Sequence, residues 1–445
     1  MFEETNKNML HCIMQKTVFI YTYGCQMNVH DSEKMLGILS GNGFSHTESP
    51  EDADLIIFNT CAIREKAEQK FYSQLGRTGL LKKKRGGIKI AVTGCVAQDV
   101  QDKLFKKAPF VDFILGPQNI YSIHDMVLRK KGKSLLGDNP EAASLELEPK
   151  RQSRIKAWVS IMHGCNNFCS YCIVPYTRGR EVSRPSSSIL SEISSLAADG
   201  YREITLLGQN VNSYRSDIGF SELLKKVNDI STDRVRFVTS HPRDLSPDLI
   251  RTVADLPNVC EHIHLPIQSG SDRILREMNR GYTYREYREK ITLLREHVPG
   301  ISITADVIAG FPGETEEDHL ATLRALQEIE FDGIFAFKYS PRKGTKAYEM
   351  GERVSEDAKA VRLDSILKIQ GDITFRKNKM LEGSIQEILL EGPSEADPSM
   401  LTGRTRTNKI VTIKDCGQDE GSAILVRIEK ARPYSLFGTA VDKLT

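Results

Sequence analysis

What this sequence lacks narrows it first. No run of about 18 apolar residues occurs anywhere in its 445, which excludes a membrane-spanning helix. The opening MFEETNKNMLHCIMQK has no apolar stretch of the kind a secretory signal carries, so a cytoplasmic protein is expected. No charge excess advertises a polyanion partner. Lys+Arg 61 against Asp+Glu 59 leaves +2, so any nucleic-acid contact must come from local patches. A disulfide framework is missing too: the cysteines number nine, an odd count, and six of them fall into two sets of three. Clustered thiols in a reducing compartment more often serve metal or redox chemistry. What is there, 40% hydrophobic and 27% charged residues, is ordinary globular sequence, long enough for about three domains.

Residues 16–133 alternate strand and helix. TVFIYTYGC, ADLIIFNTC and IKIAVTGC are short β-branched runs, each ending in a cysteine: Cys25, Cys61 and Cys95. Their spacing of roughly 35 residues leaves room for a strand, a helix and two loops, the rhythm of a parallel sheet. Helices are predicted in DSEKMLGILSGNGF, REKAEQKFYSQLGRTGLLKKK and DVQDKLFKKA. In such a sheet the strand-to-helix loops share the carboxyl edge, which would gather the three thiols. The plain alternative is three unrelated buried thiols acting as small hydrophobes.

Residues 134–153 read as a linker. Across 154–375, IKAWVSIMHGC, EITLLGQN, RVRFVTS, EHIHLPIQ, SITADVIAGF and GIFAFKYSP are six candidate strands with helical segments between them. That predicts a partial (β/α)6 barrel with its active site at the carboxyl ends of the strands. From 376 to 443 short strands with Gly-rich turns predict a small antiparallel barrel. From Lys379 onward there are nine Lys+Arg and ten Asp+Glu, so this domain is not basic overall.

HGCNNFCSYC places Cys165, Cys169 and Cys172 at C-x3-C-x2-C on the loop after the first barrel strand. Three thiolates so spaced suit three irons of a cubane cluster and leave the fourth iron open. Zinc completed by His163 is the competing reading, although zinc ligands usually come in spaced pairs. Cys12, Cys260 and Cys416 have no partner at ligand spacing and read as structural. In VIAGFPGETEED, Gly310 and Gly313 permit close backbone approach to a ligand, while Thr315 with Glu316 and Glu317 suits a plain helix start.

The cluster loop, with Tyr171 before Cys172, resembles that of the radical S-adenosylmethionine (SAM) enzymes. YTYGCQMNVHDSE, FNTCAIREKAEQK and TGCVAQ, together with GRTRTNK and SLFG near the C-terminus, resemble the radical-SAM methylthiotransferases. The last two resemble that family's RNA-binding TRAM barrel. GCNNFCSYCIVPYTRGREVSRP, LPIQSGSDRILREMNRGYT and VIAGFPGETEEDH are most similar to the branch acting on isopentenyladenosine beside the tRNA anticodon.

The resemblance implies a radical-generating 4Fe–4S cluster on Cys165, Cys169 and Cys172, whose open iron chelates SAM. It implies a second, auxiliary 4Fe–4S cluster on Cys25, Cys61 and Cys95 that carries or donates sulfur. The net reaction would replace hydrogen by methylthio at C2 of the adenine. Threonylcarbamoyladenosine of tRNA, or an aspartate of a ribosomal protein, is the alternative target within the family. A non-catalytic, metal-containing RNA-binding protein is the alternative from another class.

Candidate SAM contacts are Tyr171, for packing on the adenine, and the strand-end residues Gln209, Asn210, Ser240 and Gln268. Gln209 and Asn210 stand where many radical-SAM enzymes carry an acid near the methionine amine. Candidate phosphate contacts are Arg404, Arg406 and Lys409 on the C-terminal barrel, with Arg178, Arg180 and Arg342 on the central one. Alternation along a strand would put Arg404 and Arg406 on one face. The expected partners are the tRNA anticodon stem-loop, an external electron donor and a supplier of sulfur or iron–sulfur clusters. A monomer without membrane attachment is expected.

Overall fold

The computed structural model describes residues 16–62, 65–129, 132–139, 145, 147–230, 232–351 and 353–441, so Cys12 lies outside the described residues. The chain divides into two units. One runs to Gln152 and includes Tyr176–Gly179; the other comprises Ser153–Pro175 and the chain from Arg180 on.

In the first unit, the three predicted strands are β1 (Lys16–Thr22), β3 (Leu55–Thr60) and β4 (Lys89–Gly94). With β2 (Phe44–His46), β5 (Phe113–Leu115) and β6 (Lys133–Leu135) they form one parallel sheet in the order β2-β1-β3-β4-β5-β6. All six residues of β3 are buried, as a strand covered on both faces requires. Helix α1 (Gln26–Gly41) starts directly after Cys25, five residues earlier than its apolar pattern suggests. It lays Met35, Leu36 and Leu39 on Val18, Leu55 and Ile57. Each such fully buried side chain contributes roughly 1.5–3 kcal/mol. Helix α2 (Glu65–Arg85) follows β3. The predicted third helix is broken: α3 (Cys95–Val100) ends at Gln101, whose φ of 51° interrupts the spiral before Lys103–Lys107. The end of the expected linker is held on α1, where Glu33 accepts from the Lys150 and Gln152 amides.

In the second unit, β7 (Lys156–Ser160), β8 (Met162–His163), β9 (Val182–Ser183), β10 (Glu203–Leu207), β11 (Arg234–Phe237), β12 (His262–His264), β13 (Ser302–Ala309) and β14 (Gly333–Lys338) follow in chain order. The six predicted barrel strands form two parallel three-stranded sheets, β11-β10-β7 and β12-β13-β14, linked by a Val235–Val259 bridge. The short β8–β9 pair lies outside them. Alternate residues of each strand pack on the surrounding helices in one large core, for example Ile303, Ala305 and Val307 against Leu326 and Ile329.

The C-terminal strands β15 (Ile385–Pro393), β16 (Met400–Thr405), β17 (Ile410–Lys414), β18 (Ala423–Ala431) and β19 (Leu436–Val441) close a barrel in the order β15-β16-β17-β19-β18. It is not wholly antiparallel, because β17 and β19 run parallel to complete the ring. Cys416 packs against the core of this barrel, and Cys260 is buried in the half-barrel with its thiol pushed up to about 11 by burial. Among the described residues, no helix is long and apolar enough to cross a membrane.

Candidate active site

The first cysteine trio sits where the strand pattern places it. Cys25 is the N-cap of α1, Cys61 follows β3 and Cys95 opens α3. Because β1, β3 and β4 are neighbours, all three lie at the carboxyl edge of adjacent strands. Gly24 makes the approach possible: at φ +116°, a Cβ there would stand 2.4 Å from the Cβ of Cys61. Asn28 ties the edge together, donating to the Thr60 carbonyl at 2.9 Å and to Asn59 at 3.2 Å.

Arg178 reaches this edge from the Tyr176–Gly179 segment of the same unit. It donates to Asp31 at 2.8 Å and to Asn28 at 3.1 Å and is almost wholly buried. Burial would lower its basicity, but Asp31 and the thiols of Cys95 and Cys25 outweigh burial and raise it. Arg178, expected among the RNA phosphate contacts, is thus engaged within the fold in this structure. Its charge is spent inside the fold, on an acid far away in sequence.

The second trio lies on the loop after β8. Asn279 donates to the carbonyls of Asn167 and Phe168, and the Ser170 amide donates to Met278. The loop is thus cradled by the Leu265–Thr283 stretch. From that stretch comes Arg280, buried, which donates to Cys169 Sγ at 3.3 Å, Tyr171 Oη at 3.3 Å, Tyr282 Oη at 3.0 Å and the Pro266 carbonyl at 2.9 Å. Burial raises the thiol of Cys165 and pushes that of Cys172 to about 12; Arg280 opposes both. Sequence reasoning missed Arg280. The sequence places it only within MNRGYT, next to an Asn and a Gly that the structure shows at positive φ (Asn279 56°, Gly281 69°).

The candidate SAM contacts gather at the strand ends. Gln209 and Asn210 follow β10, Ser240 follows β11, and Gln268 bridges to Val307 of β13. Gln209 Oε1, Asn210 Oδ1 and Ser240 Oγ are buried without a hydrogen-bond partner. Buried polar atoms are nearly always satisfied, so these three fit a polar ligand such as SAM. Nearby His241 is held neutral, its pKa lowered to about 2 by burial and by Arg280, Arg243 and Lys290. Tyr171 packs in a cluster with Phe311, Tyr339 and Ile308.

Gly310 lies close against the buried stem of Lys359, where a Cβ would stand 2.3 Å from Lys359 Cγ. Thr315 caps the following helix in a capping box with Asp318, as a helix start should. Glu314, buried, accepts from the Gly310 and Phe311 amides. Burial lifts its carboxyl to about 7, with Arg362 opposing.

Arg404, Arg406 and Lys409 are not aligned for one ligand. Strand β16 ends at Thr405, so the expected alternation does not carry Arg406. Arg404 meets Glu391 at 3.2 Å. Arg406 donates from Nε and Nη2 to the Glu261 carboxylate in a bidentate pair, and also to the carbonyls of Pro257 and Val259. Lys409 meets Asp332 and Asn378. In return Arg234 and Arg236 donate to the carbonyls of Arg404, Thr405 and Arg406. This hairpin docks the closed barrel on the amino ends of the half-barrel strands. These partners are ones the local sequence does not show. Arg180 is exposed, its guanidinium 4.3 Å from the Phe168 ring, and Arg342 is half-buried.

Among the described residues no three His, Cys, Asp or Glu side chains converge on a single metal ion. A cubane asks for something different, one thiolate at each of three iron corners. Two trios on loop edges, each beside a buried guanidinium, suit anionic clusters.

Three family descriptions match: the uncharacterized protein family UPF0004 over residues 17–116, the radical SAM superfamily over 159–326 and the TRAM domain over 379–441. Fold and site thus define a radical SAM protein. The chain is 53% identical over 430 residues, 96% of it and 99% of the relative, to the tRNA-2-methylthio-N(6)-dimethylallyladenosine synthase of Thermodesulfovibrio yellowstonii. It is 49% identical over 434 residues to that of Syntrophus aciditrophicus, covering 95% of this chain and 94% of the relative. The chain belongs to the family of tRNA-2-methylthio-N(6)-dimethylallyladenosine synthases. Among solved structures, the radical SAM methyltransferase TsrM of Kitasatospora setae shares the fold. Its TM-score is 0.55 at 14% identity, over 75% of this chain and 77% of that one.

Proposed function

We propose that this chain converts N6-isopentenyladenosine beside the tRNA anticodon to its 2-methylthio derivative. The observation that carries the reading is the second trio. It lies at the carboxyl end of the half-barrel with Arg280 on Cys169 and the unpartnered oxygens of Gln209, Asn210 and Ser240 close by in the fold. Cys165, Cys169 and Cys172 would hold a 4Fe–4S cluster there, which would supply the electron for reductive cleavage of SAM. Tyr171 and Gln268 complete the proposed SAM contacts. The protein's own part is to hold the cluster and the sulfonium reagent in a site shielded from water. The full-length relatives carry the isopentenyl-type name, which favours this target over the other members of the family.

The finer parts of the reading are an auxiliary 4Fe–4S cluster on Cys25, Cys61 and Cys95, an external electron donor and a sulfur or cluster supplier. The protein would work as a cytoplasmic monomer. The tRNA backbone contacts would fall on Arg180 and Arg342 at the barrel rim. Replacing Cys165, Cys169 and Cys172 by Ala should abolish reductive SAM cleavage and halve the bound iron. Replacing Cys25, Cys61 and Cys95 should also halve the iron and stop methylthio formation, yet leave SAM cleavage in place. Equal loss of cleavage in both triple variants would refute the division of labour. Mass spectrometry of tRNA nucleosides from a strain lacking the protein tests the activity itself: isopentenyladenosine should accumulate without its methylthio form.

A further inference from the structure

The β12-β13-β14 sheet has one face on the helices and one face open. Ile334 and Ala336 of β14 pack on the large core, as do Ile303, Ala305 and Val307 of β13. Strand alternation turns the intervening residues the other way. The register puts His264 beside Thr304, Asp306 beside Phe335, and Ile308 beside Phe337 on this second face. Phe335 is 55% exposed and Phe337 39% exposed, unusual for aromatic residues in a parallel strand. The face is not featureless. His264 bonds to Thr304 at 3.1 Å and lies 3.5 Å from the Asp306 carboxylate, with its ring edge-on to Phe335. At its carboxyl end Ile308 shares a cluster with Tyr171, which stands between Cys169 and Cys172. The exposed rings therefore lie on the face that runs up to the cluster loop.

We infer that Phe335 and Phe337 form the wall that receives the prenylated adenine, with Phe335 as the specificity-determining contact for the five-carbon group. This rests on the function proposed above. A base stacked on Phe337 with its C2 toward the cluster loop would turn its N6 substituent along a different ring edge, and Phe335 is the next ring down the strand on that face. Aromatic rings accept a purine face by stacking, and an apolar wall suits an isopentenyl chain. The neighbouring Asp306 carboxylate suits the N6–H donor. An apolar pocket distinguishes ligands differing by a methylene by roughly 10–200-fold, so a whole prenyl group should be read strongly.

The test is binding of anticodon stem-loop RNA to the reconstituted protein under anaerobic conditions without reductant. One RNA carries isopentenyladenosine and the other unmodified adenosine. The wild-type protein should prefer the prenylated RNA by about tenfold or more. Phe335→Ala should bring that preference close to one while holding affinity for the unmodified RNA within about threefold. Phe335→Leu should retain most of the preference, because it keeps an apolar surface. Iron content equal to wild type verifies that each variant folds. Retained preference in Phe335→Ala, or equal weakening toward both RNAs, would overturn the assignment. So would a wild-type protein that makes the methylthio product yet shows no preference in binding. If wild type with SAM and reductant makes no product from the prenylated RNA, it is the proposed function that fails instead.

Discussion

The two cysteine trios solve the same electrostatic problem in different ways. Each has a buried arginine beside it. Arg178 brings its own counter-charge, Asp31 at 2.8 Å, so the first site is nearly neutral before any cluster arrives. Arg280 has no carboxylate within ion-pair distance among the described residues; its partners are a thiol, two phenols and a carbonyl. A buried charge without an opposite charge is costly. The second site therefore lacks a standing counter-charge, and the negative charge would arise only when Cys165, Cys169 and Cys172 are held as thiolates on a bound cluster. The difference suggests that charge at the first site serves architecture, and charge at the second serves the tuning of an electron carrier.

The sharpest way to break this comparison is at Arg280. Arg280→Met should disfavour the reduced, more negative cluster. About tenfold less reduced cluster at a fixed poise corresponds to about 59 mV in a one-electron potential. Reductive SAM cleavage should fall by tenfold or more. Arg280→Lys, which keeps the charge but not the fork, should recover part of the potential. A spectroscopic redox titration that finds Met and wild type alike would remove Arg280 from the tuning role.

The first site should respond in stability instead. Asp31→Asn leaves the Arg178 guanidinium buried and unpaired, a loss of roughly 3–5 kcal/mol. Removing both charges in an Asp31→Leu/Arg178→Met variant should recover much of it, since the two positions are directly coupled. Denaturant melts of the two variants decide the matter; a double variant as unstable as the single one would count against the pairing.

The effect spread over the widest range of conditions is a pH dependence arising in the second unit. Glu314 is lifted from its ordinary 4.5 to about 7, chiefly by burial. Between those values the folded state keeps a proton that the unfolded chain has released. Stability thus declines as pH rises through that window, by up to roughly 3 kcal/mol from this group. Glu314→Gln should flatten the decline in melts taken from pH 5 to 7, whereas an unchanged slope would assign it to other groups.

Much of this could be read from the chain alone, for a definite reason. β-branched runs ending in cysteine carry both strand and thiol in one local pattern, so β1, β3 and β4 were legible together with Cys25, Cys61 and Cys95 at their ends. The three-residue strands β2, β5 and β6 have too few positions to show a period. The intramolecular partners of the arginines were not legible because they are remote: Asp31 for Arg178, Glu261 for Arg406. A basic residue in an RNA-binding family reads as a phosphate contact until the acid beside it is seen. Arg280 was illegible for the converse reason, since its partners are a thiol and phenols, which no charge pattern reveals.

The docked GRTRTNK hairpin changes how a common experiment must be interpreted. Cutting the chain before the closed barrel would do more than delete an RNA-binding module. Arg234 is 1% exposed, and it gives its guanidinium to Glu387 and to the Arg404 carbonyl. Arg236 gives two bonds to the same hairpin. Truncation would strip both cations of these partners and leave Glu261 without Arg406. A shortened protein that loses tRNA binding could equally have lost the footing of its catalytic half-barrel. Point changes on exposed surfaces of the closed barrel, away from this hairpin, are the cleaner instrument.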